Sequence, residues 1–263
     1  MHIWDMTMMS QDFYRCWWHA GKHLEARMDG AKRSWLRMNP YPPYIEHFSF
    51  RLGNQIFFVR VEDADGKVEG PGDVEQLCTK AADARSHACV MPMHREGGAD
   101  RWRPAEPGWG LLDAATRKRL DPLSLVSDEL IEMTDWEVQD MAVEIVRQHL
   151  IGKGHEVFSW QGDPRLDPSV WFVADSKESE WVVVRSVRYP VARAQPPDDW
   201  DQIAEACARF GTVGHFASVA LASSKQRDAK DDTIVPLWRG YAMHARFEGL
   251  EPPPGASGVY GPA

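Results

Sequence analysis

From residue 134 onward, apolar and polar positions alternate between a helical and a strand-like period. Thr134, followed three residues later by Glu137, has the spacing of a capping box and predicts a helix start. Val138, Met141, Ala142, Ile145, Val146 and Leu150 then recur in steps of three and four and form one apolar face, which Gly152 and Gly154 end. Three strand-like runs follow, at residues 155–160, 169–174 and 181–187. The last is a run of valines, the pattern of a strand buried on both faces. Pro196, Pro197 and Asp198 precede a second helix over residues 200–210, closed by Gly211, and residues 213–222 supply a fourth strand. The order is helix, three strands, helix, strand.

The first half reads less regularly. Phe13, Tyr14, Trp17 and Trp18 among small residues predict a helix over Gln11–Met28, which Pro40, Pro42 and Pro43 follow as a turn-rich connector. Residues 47–52 and 55–61 are β-rich runs around Gly53-Asn54, the signature of a hairpin. A polar loop leads to a helix over residues 73–86 capped by Asp73, and residues 87–91 return to strand character. Residues 94–129, rich in Gly, Pro, Trp and Arg, show one short strand at 108–112 and read as a packed arm, since their large apolar side chains would otherwise be exposed. The expected division is an N-terminal α+β unit at 1–93, a connecting arm at 94–133 and an α/β domain with a C-terminal extension at 134–263. The fold class is thus α/β (α+β).

Composition narrows the setting. A chain of 263 residues with 43% hydrophobic content can bury a core without staples. Its longest apolar runs, such as residues 216–222, are less than half of the ~20 residues a bilayer core demands, so no membrane span is expected. No basic start with a following apolar run marks a secretory leader, and the expected location is cytoplasmic. Cys16, Cys78, Cys89 and Cys207 are scattered singly, as buried small hydrophobes would be. The net charge of -9 argues against broad, nonspecific nucleic-acid binding, although a local basic groove stays compatible with it. Twelve tryptophans and eleven methionines read as core filling before they read as a base-stacking platform.

With an acid on its first helix and another at the head of its second strand, the stretch from about residue 134 to 224 resembles the restriction-endonuclease-like, or PD-(D/E)XK, nuclease superfamily. The resemblance implies that a helix acid, an aspartate at the second strand and an acid-x-lysine pair on the third hold Mg²⁺ and activate water for phosphodiester cleavage. Glu144 stands as the helix acid, with Glu137 two turns earlier as a substitute, and Asp167 in Asp167-Pro168-Ser169 matches the strand aspartate. The third strand departs from the pattern: Val183 takes the place of the acid and Arg185 that of the lysine. Side chains 183 and 185 share one side of the strand, but arginine does not readily release a proton, though it can hold a phosphate. The resemblance therefore implies Glu144 and Asp167 as metal ligands, with Arg185 beside them and Mg²⁺ as cofactor only if hydrolysis survives.

Three readings stay open. In the first, a degenerate nuclease fold binds DNA, RNA or a protein partner without cutting. In the second, a displaced acid such as Glu180 or Asp175 completes an active Mg²⁺-dependent nuclease. In the third, Glu144 and Asp167 are ordinary solvated or capping residues of a structural or interaction protein. Arg185, Arg188 and Arg193 lie close enough to greet a phosphate or to pair with nearby acids. His215, at the start of the fourth strand, reads either as a binding residue and general base or as a packed strand residue. Ser218 lacks a nucleophile elbow, Cys89 and His94 lack a third ligand, and no phosphate-cradling glycine loop occurs.

Overall fold

A computed structural model describes residues 8–28, 34–42, 44–97, 101–211, 213–228 and 233–253. Pro43 of the proline connector lies outside them. The fold is α+β, in two compact units, Met1–Ile131 and Glu132–Ala263, each built on one mixed sheet.

The N-terminal unit runs α1 (Gln11–Met28), β1 (Trp35–Met38), β2 (Phe48–Leu52), β3 (Gln55–Asp63), α2 (Val74–Asp83), β4 (His87–Glu96), β5 (Arg101–Pro104), β6 (Leu111–Asp113) and β7 (Arg119–Leu120). Ser10 caps α1 by accepting from the Phe13 amide at 3.1 Å. Helical spacing puts Phe13, Cys16, Trp17, Ala20 and Leu24 in the core, where they meet Phe50, Val59, Val61, Met91 and Met93 on one face of the sheet. Gly21 allows this approach, since a Cβ there would stand 3.0 Å from the Phe48 ring. Strand order is β1-β2-β3-β4-β6-β7, with β5 also on β4. Among the described residues of this unit only β3 and β4 are parallel, joined through α2, whose Asp73 cap accepts from Glu75 N. On the face away from α1, Lys80 of α2 lies 5.0 Å from the Phe58 ring and pairs with Glu46 at 2.6 Å.

Residues read from the sequence as an arm thus supply three strands to this sheet. Two to four residues each is too short for a period to show, and only β6 overlaps the one strand expected there. Gly108 and Gly110, at φ +74° and +71°, turn the chain where a strand was expected, and β6 begins after them. The edge strand β1, half-buried throughout, was masked by the prolines that follow it.

The C-terminal unit runs α3 (Asp135–Gly152), β8 (Glu156–Trp160), β9 (Val170–Val173), β10 (Ser179–Arg188), α4 (Trp200–Cys207), β11 (Val213–Ser223) and β12 (Met243–Phe247). Both hydrogen bonds of the Thr134–Glu137 capping box form. The sheet order is β12-β11-β10-β9-β8, with β10 and β11 parallel through the α4 crossover and the other pairs antiparallel. A register shift interrupts β8 between Val157 and Ser159. Val182 and Val184 pack under α3 with Val138, Ala142 and Val146, whereas Trp181 and Val183 pack under α4 with Trp200 and Ile203. The valine run is therefore buried on both faces, each side chain contributing roughly 1.5–3 kcal/mol. Gly214 is required beside it, because a Cβ would sit 2.2 Å from the Trp181 ring.

β9 reaches β10 only as far as Val182. Beyond that point, the buried Gln139 of α3 replaces a strand: its amide donates to Val184 O at 2.7 Å and accepts from Ser186 N at 3.0 Å. α4 stops at Cys207, short of the residue 210 expected, which leaves Phe210 exposed. β12 pairs with the outer side of β11, and its three exposed central residues explain why no apolar alternation announced it.

Candidate functional site

Asp167 and Arg185 come together. Arg185 lies on β10, and its guanidinium grips both oxygens of Asp167, Nη1 to Oδ1 at 2.8 Å and Nη2 to Oδ2 at 2.5 Å. Arg185 also donates to the Val184 carbonyl at 3.0 Å. The pair is mostly buried, with side-chain exposures of 22% and 14%. Strand alternation puts it on the face covered by α4, where the Asp167 charge adds to burial in raising the Cys207 thiol to about 11. Val183, two residues before Arg185 on the same face, is sealed under α4 with no exposed surface.

Glu144 does not join them. It sits on α3, which packs against the Val182 and Val184 face, opposite to that of Val183 and Arg185. There its two oxygens accept from Arg147 at 2.8 Å each, with Gln148 adding a third bond at 2.8 Å, and Arg147 lies 4.6 Å from the Trp160 ring centre. Glu137 closes the helix cap and is held in a buried fork by Arg239 at 2.7 and 2.8 Å.

The remaining candidates are also engaged. Arg188 donates to Met133 O at 2.6 Å and Asp135 at 3.2 Å, and Arg193 pairs with Glu251. His215 pairs with Glu180 at 2.6 Å, its ring 6.0 Å from that of Phe172. Asp175 is 97% exposed and lies 3.8 Å from His155. Ser218 accepts from Ala194 N at 2.9 Å. Cys89 is buried, its thiol pushed up by that burial, while His94 meets Asp65 at 3.1 Å. Among the described residues, no three His, Cys, Asp or Glu side chains gather where they could hold a metal ion.

The arrangement can therefore hold charge in neutral pairs. A Mg²⁺ at Asp167 would meet a guanidinium charge already bonded to both of its oxygens. The Glu180–His215 pair was not foreseen as a pair, because it depends on the parallel register that sets Glu180 beside Val213 and Val182 beside His215. Arg239 and Gln139 gave no sequence signal either, since each acts on a partner far along the chain. Beyond the end of α4, Phe158, Trp171 and Phe210 form an aromatic trio with ring separations of 6.4 and 6.2 Å, and Arg209 lies 4.6 Å from the Phe210 ring. Phe210 is 62% exposed.

Among the described residues no helix is long and apolar enough to cross a membrane. Neither a curated protein nor a solved structure matches the chain. Residues 136–253, most of the C-terminal unit, match the model of a family described as a domain of unknown function (DUF8840).

Proposed function

We propose that the C-terminal unit is a nuclease-like scaffold that binds without hydrolysing, and that its ligand is a protein rather than a nucleic acid. The observation that carries this reading is the Asp167–Arg185 fork: the acid that would hold a metal is neutralised by the cation that replaces lysine. Arg188 and Arg193 are committed to Asp135 and Glu251, and the chain carries a net charge of -9, which removes cations that phosphate recognition needs. The exposed Phe158 and Phe210, with the half-buried Trp171 between them and Arg209 beside Phe210, supply the aromatic and arginine surface that protein interfaces favour. Four free cysteines fit a cytoplasmic setting.

Purified protein incubated with DNA and RNA plus Mg²⁺ or Mn²⁺ tests the proposal. The expected result is no cleavage and only weak nucleic-acid affinity, without the steep loss with salt that phosphate contacts give. Cleavage abolished by Asp167→Ala sinks it. A second reading rests on Glu180, whose carboxylate holds an imidazole at 2.6 Å as a general base would need. Under that reading cleavage survives Asp167→Ala and is lost in Glu180→Gln.

A further inference from the structure

Each unit follows one plan. The chain runs helix, three strands, helix and strand, then adds a strand antiparallel to the last, β5 on β4 and β12 on β11, and the N-terminal unit adds β6 and β7 besides. α1 and α3 are each 18 residues long. In each unit the third strand is parallel to the fourth and antiparallel to the second. The first helix covers the face of Val59 and Val61 in one unit and of Val182 and Val184 in the other. The second helix takes the opposite face, with Lys80 over Phe58 and Ile203 beside Val183.

Shared element order is weak support on its own, because α/β arrangements recur. The register goes further. His47 N donates to Val59 O at 2.9 Å, and Ser169 N donates to Val182 O at 2.9 Å. Two residues on, Val61 N donates to His47 Nδ1 at 2.8 Å, and Val184 N donates to Ser169 Oγ at 3.1 Å. In both units, then, the residue before the second strand closes the same two positions of the third strand, once with its backbone and once with its side chain. Setting His47 against Ser169 and Val59 against Val182 brings Phe50 onto Phe172 and Val61 onto Val184, three identities among buried positions. It also brings Glu62 onto Arg185. Both carry an arginine–carboxylate fork on the face away from the first helix, Arg117 on Glu62 at 2.6 and 3.2 Å and Arg185 on Asp167.

We infer that the chain is a tandem duplication, whose N-terminal unit is a diverged second module of the kind that the family model matches at residues 136–253. The third strand supplies the acid to one fork and the cation to the other, and each partner comes from a loop, Arg117 between β6 and β7 and Asp167 ahead of β9. A clamp on the third strand works with either sign of charge on that strand. The inference holds whether the C-terminal module binds or cleaves, since it concerns the frame of each module.

Hydrogen exchange of the full chain, read by element, tests it with the equivalent variants Val59→Ala and Val182→Ala. Val59→Ala is expected to speed exchange on the order of tenfold or more in α1 and β2 to β4 and to leave β9 to β11 unchanged. Val182→Ala is expected to do the same in α3 and β9 to β11, with β2 to β4 unchanged. An effect that spreads into the other unit, or a different set of elements responding in each, overturns the inference. If either variant fails to fold, the unaltered protein in rising denaturant decides. Two sets of amides that open separately, with the third strand last in each, support the duplication, and a single set refutes it.

Discussion

His47 is fully buried between two hydrogen bonds that fix its tautomer. Nδ1 accepts from Val61 N at 2.8 Å, so the proton sits on Nε2, which donates to Pro71 O at 3.0 Å. Burial, reinforced by the charge of Arg60, lowers its pKa to about 3. The unfolded chain takes up this proton near pH 6.5, well before the folded one does. The contribution to stability is therefore complete above that pH and is lost as pH falls toward 3, by about 1.4 kcal/mol per unit. Denaturant titrations should show the native protein losing about 2 kcal/mol more than His47→Asn between pH 7 and pH 5. The Asp167–Arg185 fork makes a second prediction at this scale. Arg185→Met should cost about 1–3 kcal/mol by leaving Asp167 half-buried and unpaired, and Asp167→Asn/Arg185→Met should cost less than the sum of the single variants. Additive effects in that cycle would show the two groups to be uncoupled.

Among the elements, α3 was the most legible, because a capping box, an apolar stripe and two terminal glycines all point the same way. What fixes it to the sheet was not legible. Gln139 stands in for a missing strand beside β10, and Gln139→Leu should cost about 1–3 kcal/mol by leaving Ser186 N without its acceptor and Val184 O with Arg185 alone. Arg239 approaches Glu137 from a segment with no periodic signal, and Arg239→Met should cost about 3–5 kcal/mol by leaving a buried carboxylate alone. Both losses are measurable as shifts of the denaturation midpoint with unchanged slope. Strands β2, β3, β4, β8, β9, β10 and β11 could be read from their apolar runs, and β6 in part, whereas β1, β5, β7 and β12 are short or polar. The candidate site was the least legible part. Alternation shows that residues 183 and 185 share a face, but not which face α3 covers, and that choice separates Glu144 from Asp167.

At the scale of the molecule, each unit has its own core, Phe13 to Leu111 in one and Met133 to Leu237 in the other. The likeness of the two units escaped the sequence for a physical reason. Burial asks only for apolar side chains of suitable volume, so Phe50 and Phe172 or Val61 and Val184 coincide while most other positions drift. The closing side chain itself changed from His47 to Ser169, because any acceptor of the right reach satisfies the amide. One further feature bears on the company that the protein keeps. β8 ends the order of its sheet, and a strand in that position offers its outer backbone to any extended chain that drifts by. The shift between Val157 and Ser159 bends this strand out of regular pairing, and Glu156 sets an exposed charge at its start. A passing copy of the protein thus finds no straight, neutral template there, and concentrated solutions are guarded against growing ribbons of joined sheets.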